Sequence, residues 1–132
     1  MVPRIRSYRD LVVWQKSMDL VDVCYSLTSR FPPVERFGLV SQIRRAAVSI
    51  PANIAEGHAR TGPKQFVHQL SIARASLREL ETLLTVSRRQ GYVTSATFVE
   101  VERSADEIGR MLSVLARRVA AAAAIASLEP RP

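Results

Sequence analysis

The chain has 132 residues, room for one domain with its own hydrophobic core and no need of covalent staples. Cys24 is its single cysteine, which excludes an intrachain disulfide and a cysteine-based zinc site and fits a reducing, cytoplasmic setting. Nineteen basic residues against twelve acidic ones give a net charge of +7 and an isoelectric point near 10.7, a balance that favours polyanions as partners. All the cations except Lys16 and Lys64 are arginine, which pairs bidentately with phosphate and stacks on bases. A GC-rich genome produces the same bias, so composition alone does not choose the partner.

Met1 to Arg6 is basic, but no apolar stretch of signal-peptide length follows it. Ser7 followed by Asp10 reads as a capping box with aspartate in the glutamate position, and predicts a first helix over residues 8–29. Leu11, Trp14, Met18, Val21 and Tyr25 mark its expected apolar face. Phe31-Pro32-Pro33 ends it, and Pro33 suits the first turn of a second helix over 33–57, with Gly57 as its stop. Val40, Ile43, Ala47, Ile50 and Ile54 recur at helical spacing along this second helix, and Arg45, Ser49, Asn53 and Glu56 form a polar stripe beside them. Pro51 interrupts the pattern. It lacks the N–H that would bond the Ala47 carbonyl, so helix two is expected to kink there, with Ser49 and Asn53 placed to compensate.

A third helix is predicted over 63–90, with Phe66, Leu70, Ala73, Leu77, Leu80, Leu84 and Ser87 as its seam and Gly91 as its stop. The fourth, over 95–127, repeats the pattern in Phe98, Val101, Ala105, Ile108, Leu112, Leu115 and Val119, then fades into alanines. Its most apolar run, Val119 to Ala126, is far short of the roughly twenty residues of a membrane span. No segment alternates with period two for long enough to make a strand, and the connections are short. The expected fold is therefore all-α: one domain, residues 1–132, folded as an up-down-up-down antiparallel four-helix bundle.

Catalytic chemistry finds no footing. The run from Gly57 to Gln65 echoes a phosphate-binding loop, but a proline separates Gly62 from Lys64, no hydroxyl residue follows the lysine, and no strand leads in. His58 and His68 lack carboxylate or thiol neighbours at metal-ligand spacing and read as surface residues. Cys24 has no histidine partner in view and reads as a buried, inert thiol. Glu79 and Glu81 point to different sides of helix three and form no carboxylate pair. No enzyme activity, metal or cofactor is predicted.

The cations are more informative. Glu100, Arg103, Glu107 and Arg110 alternate in sign at helical spacing and are expected to neutralise one another along one face of helix four. Arg117 and Arg118 lie beyond this ladder. In an up-down-up-down bundle they share one end with Arg4, Arg6, Arg9, Arg60 and Lys64, which makes that cluster the candidate nucleic-acid surface. No aromatic residue is interleaved with it, so phosphate contact is expected there rather than base stacking.

Leu11 to Lys16, Tyr25 to Thr28 before Phe31-Pro32, Gln42 to Ala46, Ser49-Ile50-Pro51-Ala52-Asn53-Ile54-Ala55-Glu56-Gly57, and Ser76 to Thr82 together resemble a family of bacterial four-helix-bundle proteins. That family includes the product encoded within intervening sequences of large-subunit (23S) ribosomal RNA genes, and it is similar to the accessory protein of diversity-generating retroelements. The resemblance implies a cytoplasmic homopentamer around a positively lined centre, with a role in binding nucleic acid and no catalytic activity. On the matching positions it implies structural or interface roles for Arg44, Arg45, Ser49, Pro51, Asn53, Glu56, Glu79 and Glu81. The arginine-rich end of helix four and the alanine run fall outside the pattern. The expected function is a non-enzymatic homo-oligomer that binds RNA or DNA through a basic surface. The alternative is a structural or adaptor oligomer whose partner is a protein such as a reverse transcriptase.

Overall fold

A computed structural model describes residues 5–60 and 62–128. They form four helices: α1 (Val12–Thr28), α2 (Leu39–Ala59), α3 (Pro63–Arg89) and α4 (Ser95–Ser127). No strand occurs among the described residues. The helices pack as an antiparallel four-helix bundle, with α2 against α3 the most extensive interface and α1 against α4 the least. Ile43, Ile50, Ile54, Leu70, Leu77, Leu80, Ile108 and Leu112 are fully buried and form the centre of the core.

The seams read for α3 and α4 are buried over most of their length, Leu70, Ala73, Leu77, Leu80, Leu84 and Ser87 on one helix and Val101, Ala105, Ile108 and Leu112 on the other, while Phe66, Phe98, Leu115 and Val119 at their ends are half-buried. Helix one differs. Its start is a 3-10 turn, Tyr8–Asp10, in which Ser7 and Asp10 do make the capping box, and the α-helix begins only at Val12. Its buried face is Val13, Ser17, Leu20, Val21, Cys24 and Thr28, whereas Met18 and Tyr25 are exposed. Ser17 and Thr28 can be buried because their hydroxyls donate to the carbonyls of Val13 and Cys24, both at 2.7 Å. Self-satisfied hydroxyls hid the true face from a reading of apolar spacing.

Helix two also starts later than predicted. Pro33–Glu35 forms a 3-10 turn, and the chain passes through Gly38 before α2 begins at Leu39. Glu35 explains the break: its carboxylate accepts the Leu39 N–H at 3.4 Å and the Tyr92 hydroxyl at 3.1 Å, so it caps α2 from outside. At its other end α2 runs past Gly57 to Ala59. Gly57 is not a stop signal but a contact. A Cβ there would lie 2.7 Å from the Cβ of Gln69 and 3.0 Å from Cδ1 of Phe66, so the missing side chain sets how closely α2 and α3 approach. The expected stop does occur at Gly91, which takes the left-handed φ of 81° after α3.

α2 remains a continuous helix through Pro51, which is itself buried. The Asn53 amide donates to the Ser49 carbonyl at 2.8 Å and to Ser49 Oγ at 3.0 Å, and Ser49 Oγ pairs with Ser76 Oγ of α3 at 2.7 Å. The compensation predicted around the proline thus takes another route: it reaches the Ser49 carbonyl and α3 rather than the Ala47 carbonyl. Asn53→Ala is expected to lower stability by roughly 1 kcal/mol, the loss of two part-buried hydrogen bonds set against a better helix former. A thermal melt equal to or above wild type would show that this network contributes nothing.

Candidate nucleic-acid interface

The helix order brings the start of α1, the end of α2, the start of α3 and the end of α4 to one end of the bundle. Of the predicted cluster, Arg6, Arg9, Arg60, Lys64, Arg117 and Arg118 are exposed, and Arg4 lies outside the described residues. They are not equivalent. Arg60 is held by Glu56 at 2.5 Å one turn back. Arg9 lies over the Tyr8 ring, 4.8 Å from its centroid. Beside it, Asp10 accepts the backbone N–H groups of Arg6 and Ser7, which hold its carboxyl below the usual carboxylate range.

Arg117 and Arg118, adjacent in sequence, face different grooves, as successive helical residues must. Arg118 borders an apolar groove walled by Leu11 and Val12 before and at the start of α1 and by Met111 and Val114 of α4. Arg117 borders a polar groove between α3 and α4, together with Arg78, Arg110, Ser113 and the single carboxylate Asp106. Arg110 was expected to be neutralised within a charge ladder along α4. That ladder does not form: Glu107 reaches across to Lys16 of α1 at 3.0 Å, leaving Arg110 at the rim of both grooves. Sequence reading missed the Arg78–Arg110–Arg117 groove. The available signal was the seven-residue spacing of Arg110 and Arg117, two turns apart on one face.

Among the described residues only three ion pairs form: Lys16–Glu107, Arg60–Glu56 and Arg78–Glu81. Most of the arginine surface is therefore without a carboxylate in contact. Glu81 is engaged by Arg78 of its own helix at 3.0 Å, so of the two glutamates expected to serve a neighbouring subunit only Glu79 stands without an ion pair among the described residues.

Arg44 and Arg45 belong to the opposite end. Arg44 donates from Nε to Thr28 Oγ1 at 2.9 Å and from its guanidinium to the Tyr25 carbonyl at 3.4 Å, with its charge 4.4 Å above the Tyr25 ring. It thereby ties α2 to the negative end of the α1 dipole. Arg45 lines a shallow surface groove with Tyr25, Arg36 and Phe37, and Phe37 is 88% exposed with Arg36 packed on its ring at 5.3 Å. Aromatic and basic side chains thus interleave at this end, and Tyr8 under Arg9 does so at the other, which corrects the expectation that no aromatic lies among the predicted cluster.

His68 is exposed, but His58 is half-buried with its ring edge-on to Phe66, a correction to its reading as a surface residue. Cys24 is fully buried, and burial pushes its thiol up to about 12. Among the described residues no His, Cys, Asp or Glu cluster is placed to hold a metal ion, and no helix is long and apolar enough to cross a membrane.

The fold and the part-buried polar seam through Ser49, Asn53 and Ser76 define a four-helix-bundle protein built around a proline-containing second helix. Residues 9–114 match the family model described as 23S rRNA-intervening sequence protein, and the chain belongs to that family. A solved structure similar to it is a protein of unknown function from the S23 ribosomal protein family of Bacteroides thetaiotaomicron VPI-5482. The two share 26% identity with a TM-score of 0.75 over 80% of this chain and 96% of the other. No curated protein matches the chain.

Proposed function

We propose that this chain is a non-enzymatic, cytoplasmic homo-oligomeric module that binds RNA or DNA through phosphates. The observation that supports it most is the groove of Arg78, Arg110 and Arg117, lined by Asp106 as its one carboxylate, in which Arg78 is paired with Glu81 of its own helix while Arg110 and Arg117 have no ion pair among the described residues. Such an arrangement suits a phosphate backbone because each guanidinium offers a bidentate fork of donors that matches phosphate oxygens. It does not read bases, so sequence-tolerant binding follows. Arg6, Arg9 and Lys64 at the same end of the bundle add long-range attraction.

The test is binding of duplex RNA and duplex DNA of equal length across a salt series. Affinity is expected to fall steeply as salt rises, alike for unrelated sequences, and absence of binding at low salt would refute the reading. Self-association belongs to the same proposal, and light scattering at micromolar concentration checks it: a monomer mass would remove it. A second reading, an adaptor whose partner is a protein such as a reverse transcriptase, draws on Phe37 and Val34, which are 88% and 83% exposed on one turn.

A further inference from the structure

Phe37 is a large aromatic side chain that the fold does not use. It is 88% exposed and lies outside both the hydrophobic core and the half-buried side chains packed on it. The turn that carries it is nevertheless fastened. The Gly38 N–H donates to the Glu35 carbonyl at 3.0 Å, and the Glu35 carboxylate that accepts from Leu39 and Tyr92 lies where a Cβ on Gly38 would meet it at 2.9 Å. A ring held out to solvent on a fixed turn is preorganised for a partner. Its neighbours define that partner's chemistry. Phe37 shares its groove with Tyr25, Arg36, Arg44, Arg45 and Val48, and no carboxylate lines it. Arg36 covers one side of the Phe37 ring, and Arg44 lies on the ring of Tyr25, which is 43% exposed. Arg36, Arg44 and Arg45 have no ion pair among the described residues, and neither do Arg30, Arg88 and Arg89, exposed at the same end of the bundle.

We propose that this end of the bundle binds an unpaired stretch of RNA or DNA, with one base stacked on the open side of Phe37 and the neighbouring phosphates on Arg36 and Arg45. A single strand brings a flat aromatic face and a negative charge with every nucleotide, which is the complement of a ring set among guanidinium groups. A protein partner would have to supply a separate carboxylate for each arginine. Arg44 keeps a structural part: its donors are taken by Thr28 Oγ1 and the Tyr25 carbonyl, and it fixes the Tyr25 ring beside the site. The proposal rests on the nucleic-acid reading above and adds a substrate class to it. In a duplex the base faces are stacked on one another and closed to Phe37, so this end selects strands with unpaired bases, while the groove between α3 and α4 takes a phosphate backbone in either form.

Fluorescence anisotropy with a labelled single-stranded RNA of about twelve nucleotides, beside a blunt duplex of the same length, tests this. Phe37→Ala is expected to weaken single-strand binding by about five- to tenfold, the lower part of the range for one stacked base, and to leave blunt-duplex affinity unchanged. Phe37→Trp is expected to bind the single strand at least as well as wild type, and Phe37→Leu, apolar but not aromatic, to behave as the alanine variant. Salt separates the two contributions. Phe37→Ala is expected to keep the wild-type salt slope, and Arg45→Ala to flatten it by about 0.7 on the single strand. Helix content is expected to stay constant across the Phe37 variants, because the ring lies outside the core. Wild-type affinity in Phe37→Ala, or full binding by Phe37→Leu, overturns the proposal and leaves the ring to a protein partner. An altered assembly mass in Phe37→Ala also overturns it, since the ring then faces another copy of the chain. Duplex binding without single-strand binding overturns this proposal alone, and binding of neither removes the nucleic-acid reading with it.

Discussion

Gly57→Ala is expected to destabilise the bundle, although the same change at most helical positions does the opposite. Alanine in place of glycine inside a helix gains about 0.5–1 kcal/mol of backbone entropy and propensity. Here the new Cβ would sit 2.7 Å from the Cβ of Gln69, an atom close to the α3 backbone that no rotamer change can move aside. Relief therefore requires α2 and α3 to separate, in the most extensive interface of the fold. Overpacking of this kind costs about 1–3 kcal/mol, so the net change is a loss of about 1–2 kcal/mol, and Gly57→Leu is expected not to fold. Denaturant midpoints at one fixed protein concentration check the sign, since assembly makes apparent stability concentration-dependent. A raised midpoint for the alanine variant would mean that Gly57 does not set the helix spacing.

Arg110→Ala with Arg117→Ala is expected to have the largest effect on nucleic-acid binding. On B-form DNA the log–log dependence of affinity on salt has a slope of about −0.9 for each phosphate neutralised, so losing two contacts per site should flatten it by about two units. Between 50 and 200 mM salt each lost contact changes the ratio of affinities by about 3.5-fold, uniformly across sequences. Arg60→Ala is the comparison. Arg60 is already paired with Glu56, so its removal should leave the slope close to wild type. If the double variant first changes the assembly mass and keeps the slope, the arginines serve subunit contacts and the adaptor reading gains. Both quantities can be read from one preparation.

The amino-acid sequence by itself determined the class of the fold. Period-3.6 seams through α3 and α4, the stop at Gly91 and the proline-containing run from Ser49 to Gly57 were all legible, because each is a local pattern whose cause lies within a few residues. The seven-residue relation of Arg110 to Arg117 was equally present. What hid it was the assumption that neighbouring charges on one helix neutralise each other: Glu107 has a better partner in Lys16, which belongs to another helix. The same holds for α1, where Ser17 and Thr28 are buried with their hydroxyls donating to local carbonyls, and Thr28 Oγ1 also accepts from Arg44 of α2. Gly57 reads as a stop signal on the page and becomes a spacer only when Gln69 is brought against it.

Only the tertiary structure separated Arg117 from Arg118 into two grooves, one polar and shared with α3, the other apolar and shared with α1. It also brought Arg36, Arg44 and Arg45 beside Tyr25 and Phe37, because α1 and α2 run antiparallel and return those residues to one end. Periodicity fixes which residues share a side of a helix. Which helix covers that side, and where the cover stops, depends on the relative lengths and levels of α1 and α4, and a one-dimensional pattern holds no record of them.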